Sequence, residues 1–389
     1  MIPTGKPQLL RTMNERLLLD HLRLAGPSSR GALAKASGLS KPTVSAALSG
    51  LEEAGLVRLV GSLSGRPGPS TAIYDLNARA GVVAGIDIGR QWIRIAIADL
   101  RGEFIARREV RNSARSAADL VRRVRALADR VATEAEMDWA AVTYAVVGSP
   151  GVLNPETGRL DYAQNLPGWG RAGLVERLHA ALAVETAIEN DINLAALGEL
   201  AFGAGAGVRN FVLISVGTGV GMGIVINGEL YVGSSGAAGE VSFLPTTEVD
   251  TPASDARQRG MTESVAAAGG VARIAERAGL AAGSAAEIFA AAAAGDARAA
   301  AVVTAEGRRI GALITAVAAI LDPELVVLGG GIGHNLDLLG AAITERMTEL
   351  GPLRPRLVAS ALGEDGVLAG AVSRALDVAR DRLFERRGG

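Results

Sequence analysis

The 389-residue chain contains no cysteine, which excludes a disulfide framework, an iron–sulfur cluster, a thiolate zinc site and a cysteine nucleophile. Histidine is nearly as scarce: His21, His179 and His334 are too few for a multi-histidine metal site. Long hydrophobic runs are missing too. The longest largely apolar stretch, Ile310–Leu321, falls short of the roughly 20 residues that span a bilayer. Met1–Leu10 lacks the charged-then-apolar pattern of a signal peptide. The expectation is a soluble, cytoplasmic protein of several domains, with no membrane partner.

Neither sign of charge dominates, with 40 Lys+Arg against 41 Asp+Glu, but the charge is not spread evenly. Residues 1–78 hold nine basic and five acidic groups, a net +4, while the rest of the chain nets −5. A small basic head on a mildly acidic body suits a head that meets polyanions.

Pattern in the head agrees. Thr12 is placed to cap a helix with apolar positions Leu17, Leu18, Leu22 and Leu24. Ser28-Ser29 opens a second helix, Arg30–Ser37, with Leu33 inward and Gly38 as its left-handed terminator. Ser40 caps a third helix with Pro42 in its first turn, and Val44, Leu48 and Leu51 form one buried stripe. Its other face carries Lys41, Thr43, Ser45, Ala46 and Ser49, small and polar enough to approach a groove. Strand Leu56–Val60, the loop Gly61–Ser70 and strand Thr71–Leu76 then complete a winged helix-turn-helix, with Arg66 at the wing tip suited to a minor groove. Double-stranded DNA is the expected partner of residues 1–78, set against a plain three-helix packing unit. Lys41 and Ser49 suit phosphate contacts as well as base contacts.

From Val82 the pattern changes to buried strands: Val82–Ile88, Trp92–Ala98 and Glu103–Val110, then helix Ala117–Ala135 and strand Val142–Val147. A second set begins with Phe211–Ser215, Gly221–Ile226 and Glu229–Val232, with the tight turn Asn227-Gly228. Two sets of three antiparallel strands followed by helices predict a duplicated α/β fold with two lobes and a cleft, divided as 79–198 and 199–389. Glycines mark matching turns: Asp87-Ile88-Gly89 in the first lobe and Gly217-Thr218-Gly219-Val220-Gly221 in the second, both suited to an anion. Gly329–Gly333 suits close approach by a flat group such as a purine. Between them, Glu189-Asn190-Asp191 lies where a strand gives way to a helix. Asn190 and Asp191 suit vicinal hydroxyls, and Asp191 suits a general base, against the plainer role of an N-cap.

Gly217–Val225, Gly228, Gly233 and Ala237-Ala238-Gly239-Glu240 together resemble the signature of the ROK family of repressors, open reading frames and sugar kinases. Pro150-Gly151, Asn165-Leu166-Pro167-Gly168-Trp169 and Glu189-Asn190-Asp191 with Asn193 follow the family order. The resemblance covers essentially the whole chain, its winged head being that of the family's regulators. It implies an actin/hexokinase-like (ribonuclease-H-like) body. It also implies hexose contacts at Gly151, Asn165, Asn190, Asp191, Glu240 and Glu263, with Asp191 the catalytic base in a kinase.

Three departures redirect that expectation. Where family kinases read Asp-Ile-Gly-Gly-Thr, this chain reads Asp87-Ile88-Gly89-Arg90-Gln91, so Arg90 is expected to fill the phosphate space. The second phosphate loop, Gly217–Gly221, is intact, so half the cradle persists, the phosphate-loop remnants being Asp87, Gly89, Gly217, Thr218 and Gly219. The family zinc positions are occupied by Phe243, Ser254, Ala256 and Met261, so no metal and no other cofactor is expected, ATP included; Phe243 and Met261 are expected to pack as a plug. Phe243 also removes a sugar contact that the family draws from histidine.

The combined expectation is a DNA-binding regulator of carbohydrate genes, a repressor first of all. It would be controlled by a small carbohydrate effector and act as a homodimer or dimer of dimers, without catalysis. The alternatives are an ATP-dependent hexose kinase with an accessory head and a ligand-independent regulator. The tail Arg386-Arg387 carries no assigned role.

Overall fold

The structure is a computed structural model, and it describes residues 7–63, 71–154, 157, 159–161, 173–246, 259–280 and 283–385. The head opens with α1 (Pro7–Ala25), β1 (Ser28–Ser29), α2 (Arg30–Ser37) and α3 (Lys41–Glu53), followed by β2 (Val57–Leu63) and β3 (Thr71–Leu76). The three strands pair antiparallel in the order β1-β3-β2. Ser29 Oγ accepts the Ala32 N–H at 3.1 Å to start α2, and Gly38, at φ 70°, ends it. Ser40 Oγ accepts the Thr43 N–H at 3.3 Å to start α3. Leu18, Leu22, Leu33, Val44, Leu48 and Leu51 are fully buried, each contributing on the order of 1.5–3 kcal/mol.

Helix α1 departs from its expected register. Thr12 does not cap it but lies inside it, since the helix already begins at Pro7. Leu17 and Leu24 face solvent, 45% and 73% exposed, while Leu18, Leu19 and Leu22 face the core. The crossing with α3 fixes this choice: a Cβ on Gly50 would lie 2.4 Å from Glu15 Oε1, so the side of α1 carrying Glu15 faces inward.

Lobe one contains β4 (Val82–Ile88), β5 (Trp92–Asp99), β6 (Phe104–Arg111), α4 (Ala117–Glu134), β7 (Val142–Ser149), β8 (Val152–Asn154), β9 (Arg159–Asp161), α5 (Leu174–Leu182) and β10 (Thr186–Asn190). After α6 (Asp191–Phe202), lobe two contains β11 (Phe211–Val216), β12 (Val220–Ile226), β13 (Glu229–Leu230), β14 (Leu325–Gly329) and β15 (Arg356–Ala359). The sheets run β6-β5-β4-β7-β10 and β13-β12-β11-β14-β15. Counted within each sheet, both orders are third, second, first, fourth, fifth. In both, the first three strands pair antiparallel and the last two join parallel. Two five-stranded sheets of identical topology are the α/β duplication expected from the sequence. The hairpin turn Asn227-Gly228 has both residues at positive φ, 58° and 82°, as a tight two-residue turn requires.

Gly330–Gly333 is a short helix after β14, with open space beside Gly331. Gly330 packs against the end of β11, where a Cβ would stand 2.5 Å from Val216 O. Lobe two covers its sheet with helices Ala268–Arg277, Ala297–Leu321 and Leu336–Leu350.

The C-terminal helix, Gly366–Glu385, returns to lobe one. Its Ala371, Val372, Ala375 and Leu376 are buried with Val83, Ala98 and Val146. It crosses α6 at glycine: a Cβ on Gly370 would lie 1.7 Å from Leu194 O, and one on Gly198 2.4 Å from Gly366 O. The division expected at 198 therefore falls inside α6, a helix that packs on strands of both lobes. The head is built into this core, because Leu48, Leu51 and Leu76 belong to the same apolar cluster as Val83, Leu100, Leu194 and Ala371.

Candidate functional sites: a recognition helix and an interlobe cleft

On α3, Lys41, Ala46 and Ser49 are exposed and Thr43 and Ser45 half-buried, so the face opposite the Val44–Leu48–Leu51 stripe is the presented one. The Thr43 hydroxyl shares a 2.8 Å hydrogen bond with Ser40 Oγ at the cap. Arg66 and the wing tip lie outside the described residues. A cation that the sequence reading passed over stands at the start of α2: Arg30 donates to the Tyr74 hydroxyl and sits over its ring, 5.1 Å from the centroid. Its signal was an arginine directly after the Ser29 cap.

The head is tied to lobe one through the β5–β6 turn. Leu100 N–H donates to Ala78 O at 2.9 Å, and Arg101 pairs with Asp75 of β3 and reaches Leu22 O of α1 at 3.5 Å.

Between the lobes lies a cavity of about 410 Å³. It gathers Asp87, Gly89, Arg90 and Gln91 from the β4–β5 turn, Gly217, Thr218 and Gly219 from the β11–β12 turn, and Gly151, Asn190, Asp191, Glu240 and Glu263. Residues distant in sequence thus share one wall-to-wall space. Asn165 falls outside the described residues.

Asn190 caps α6 and also lines the cavity. Its Oδ1 accepts the N–H groups of Ile192 and Asn193, both at 3.0 Å, and its Nδ2 donates one hydrogen to Gly151 O at 3.1 Å. Asp191 is different. Its Oδ1 accepts the Ile192 N–H at 2.9 Å, and burial, followed by the negative charge of Asp87, pushes its carboxyl up to about 7. Burial also raises Asp87 to about 6, although Arg94 Nη1 lies 3.1 Å from Asp87 Oδ2 and opposes the shift. Glu240 is raised by burial and by Glu263. Glu263 is raised by burial against the pull of the Val220 N–H, 3.1 Å from its Oε2, and of Arg259 and Arg90.

Arg94 is the functional-site residue that sequence reading missed. It is buried on β5 and binds Asp87, Glu109 and Glu364. A charge between Ile93 and Ile95 in an otherwise apolar strand was the available signal.

Arg90, expected to fill the phosphate space, lines the same cavity as Gly217–Gly219 and is exposed, on a turn that Gly89 N–H to Trp92 O (2.9 Å) and Asn112 Nδ2 to Gly89 O (2.8 Å) tie to lobe one. One expectation is corrected. Phe243 does not form a buried plug with Met261. It ends the turn Val241–Phe243 and is 41% exposed, and Gly260 (φ 90°) runs its backbone against Ser242 beside it. For zinc, Phe243 offers no donor and Met261 only a thioether, so these residues do not fit the ion; Ser254 and Ala256 lie outside the described residues.

Comparison with known proteins agrees with this architecture. A model described as ROK family matches residues 83–377, and one described as MarR family matches residues 11–66. A glucokinase of Halalkalibacterium halodurans is 31% identical over 272 residues, 66% of this chain and 82% of that protein. A xylose repressor of Bacillus subtilis is 26% identical over 266 residues, 65% of each chain. The solved structure of a ROK family transcriptional regulator, a homologue of the E. coli MLC protein, superposes with a TM-score of 0.78 over 97% of this chain and 98% of that one, at 23% identity. The chain belongs to the ROK family, with a MarR-type winged helix ahead of the family domain in the order of a ROK transcriptional regulator.

Proposed function

We propose that this protein is a cytoplasmic transcriptional repressor that grips operator DNA with α3 and its wing and responds to a small carbohydrate bound between the lobes. One observation carries the reading. The buried stripe of α3 and Leu194 of α6 belong to one continuous apolar core, and α6 begins at Asp191 in the cleft. A change of lobe angle at α6 therefore acts on the packing that holds the recognition helix. The xylose repressor among its relatives supports a sugar as the effector.

A homodimer suits a reader with a single recognition helix, since paired half-sites need two. Helix α1 leaves Leu10, Met13, Leu17 and Leu24 exposed. Leu10, Leu17 and Leu24 recur at heptad spacing symmetrically about Leu17, a pattern that fits the same helix of a second copy.

Genomic footprinting of the bound sites tests the DNA half, and the neighbouring genes name the ligand class. A gel-shift series with sugars tests the sensing half: operator affinity is expected to change with at least one of them. Identical binding at every concentration of every sugar would remove that half.

A second reading has its own support. A carboxyl poised at about 7 is what a general base at neutral pH requires, and the Gly217–Gly221 turn is complete, as in a hexose kinase. Arg90-Gln91 in the facing turn weighs against it, and we propose that the protein neither turns over ATP nor holds zinc. Coupled ADP release that disappears in Asp191→Asn would make it an enzyme.

A further inference from the structure

We infer that Arg30 clamps a phosphate of the DNA backbone, with Tyr74 holding its guanidinium in position, so that the pair sets how α3 sits in the groove. This rests on the DNA-binding reading and adds a contact to it.

Arg30 is exposed and is the first residue of α2, whose Ser29 cap is joined to β3 by the pairings of Ser28 with Tyr74 and Ser29 with Ile73. Its guanidinium donates to the Tyr74 hydroxyl and lies over the same ring, 5.1 Å from the centroid. Tyr74 itself is buried. A ring fixed in the core holds the long arginine in one place while its charge stays at the surface. Other arginines of the head are compensated within α1, where Arg11 pairs with Glu15 and Arg23 with Asp20. No carboxylate among the described residues pairs with Arg30. A guanidinium that is planar, fixed and uncompensated is arranged for an oxyanion from outside the chain.

Charge at the helix ends agrees. Helices α4 and α6 carry Asp119 and Asp191 in their first turns, where a carboxylate complements the positive end of the helix dipole. Helices α2 and α3 instead begin with Arg30 and Lys41 and have no acidic residue in the first turn. Cations at those two ends oppose the dipole in the free protein, and a polyanion removes the penalty.

Topology decides where that charge is used. In a helix-turn-helix the first helix crosses the DNA backbone while the second lies in the major groove. Helix α2 is that first helix, separated from α3 by Gly38, Leu39 and Ser40. Strand β3, which carries Tyr74, also pairs with β2 as the two run into the wing, where Leu63 stands opposite Thr71. A phosphate held by Arg30 therefore fixes recognition helix and wing together, without reading a base.

The test is fluorescence anisotropy of the full chain on two labelled duplexes of about 30 base pairs, one of random sequence and one recovered by footprinting, between about 50 and 200 mM KCl. Arg30→Ala is expected to bind both duplexes about tenfold more weakly, by the same factor, and to lower the slope of log affinity against log salt by about 0.9 for each bound protomer. Arg30→Lys is expected to keep the slope and recover part of the affinity. Tyr74→Phe keeps the ring but loses the hydroxyl, and is expected to weaken binding severalfold at an unchanged slope. Thermal melting separates this from a packing role, since Tm is expected to stay level in Arg30→Ala. An unchanged slope in Arg30→Ala overturns the inference. So does a loss confined to the footprinted site, which would make Arg30 a reader of bases. Full affinity in Tyr74→Phe overturns the positioning role of Tyr74. Failure of the unaltered chain to bind either duplex overturns the DNA-binding reading together with the inference.

Discussion

The two lobes repeat one sheet topology but treat the turn after their first strand differently. In lobe two it is Gly217-Thr218-Gly219, where the Thr218 and Gly219 N–H groups have no acceptor among the described residues. In lobe one it is Gly89-Arg90-Gln91, tied down by Asn112, with a long cation in place of bare backbone. The fold tolerates either, because strand pairing depends on β4–β5 and β11–β12 and not on what joins them. Chemistry does not tolerate either. Lobe one differs in a second way: it carries the C-terminal helix and the head, so it is the anchored half, and lobe two is the half whose movement has consequences.

That contrast is open to attack, most severely through the helix that only lobe one possesses. Gly370→Val thrusts a side chain into Leu194 O and is expected to cost about 3 kcal/mol or more. This would lower Tm by on the order of 4 °C in a thermal melt. An unchanged Tm would show that the lobes are not held together at this crossing. Next in size is the head. Ala46→Glu adds a negative charge to an exposed helical position and is expected to weaken operator binding about tenfold or more in fluorescence anisotropy, with Tm unaffected. Leu17→Glu is expected to shift the proposed dimer toward monomer in sedimentation velocity, and a chain that stays dimeric would move the interface elsewhere.

Smaller effects sharpen the idea of an anchored lobe. Arg101→Ala removes the pairing with Asp75 and the reach to Leu22 O. It is expected to cost about 1–2 kcal/mol in urea melts and to blunt the response of DNA binding to ligand.

The smallest effect is electrostatic. Asp87 and Asp191 hold their protons to about 6 and about 7 in the folded chain, above the carboxylate model value of 3.8. Over that window the native state binds more protons than the unfolded one, so stability is fullest at low pH and declines as pH rises through 6 to 7. Asp191→Asn is expected to flatten the upper part of that decline in Tm against pH, and an unaltered profile would mean that Asp191 titrates normally.

Much of this was legible because it is local. Ser29, Gly38, Ser40 and Pro42 mark helix ends by hydrogen bonds or dihedral angles within a few residues, so α2 begins and ends, and α3 begins, where the sequence places them. The duplication was visible in the alternation of apolar strands with glycine turns, and the family resemblance tied Gly151, Asn190, Asp191, Glu240 and Glu263 to one cleft. What was hidden depended on distant partners. Which leucines of α1 face inward depends on how close Gly50 lets α3 come. Arg94 joins Asp87 on a neighbouring strand to Glu364, 270 residues further along, and nothing near it announces that partner. Asn190 looks equally suited to ligand and cap, and only the fold brings Gly151 O within reach of its amide.

The order of residues by itself settled where helices start and stop, which strands repeat and that a reading head precedes a two-lobed body, since each follows from short-range hydrogen bonding and periodic burial. Tertiary structure alone decided which cation of the cavity pairs with carboxylates among the described residues and which does not. Arg90 and Arg94 are identical in chemistry and lie four positions apart, and only the carboxylates brought around one of them distinguish their roles.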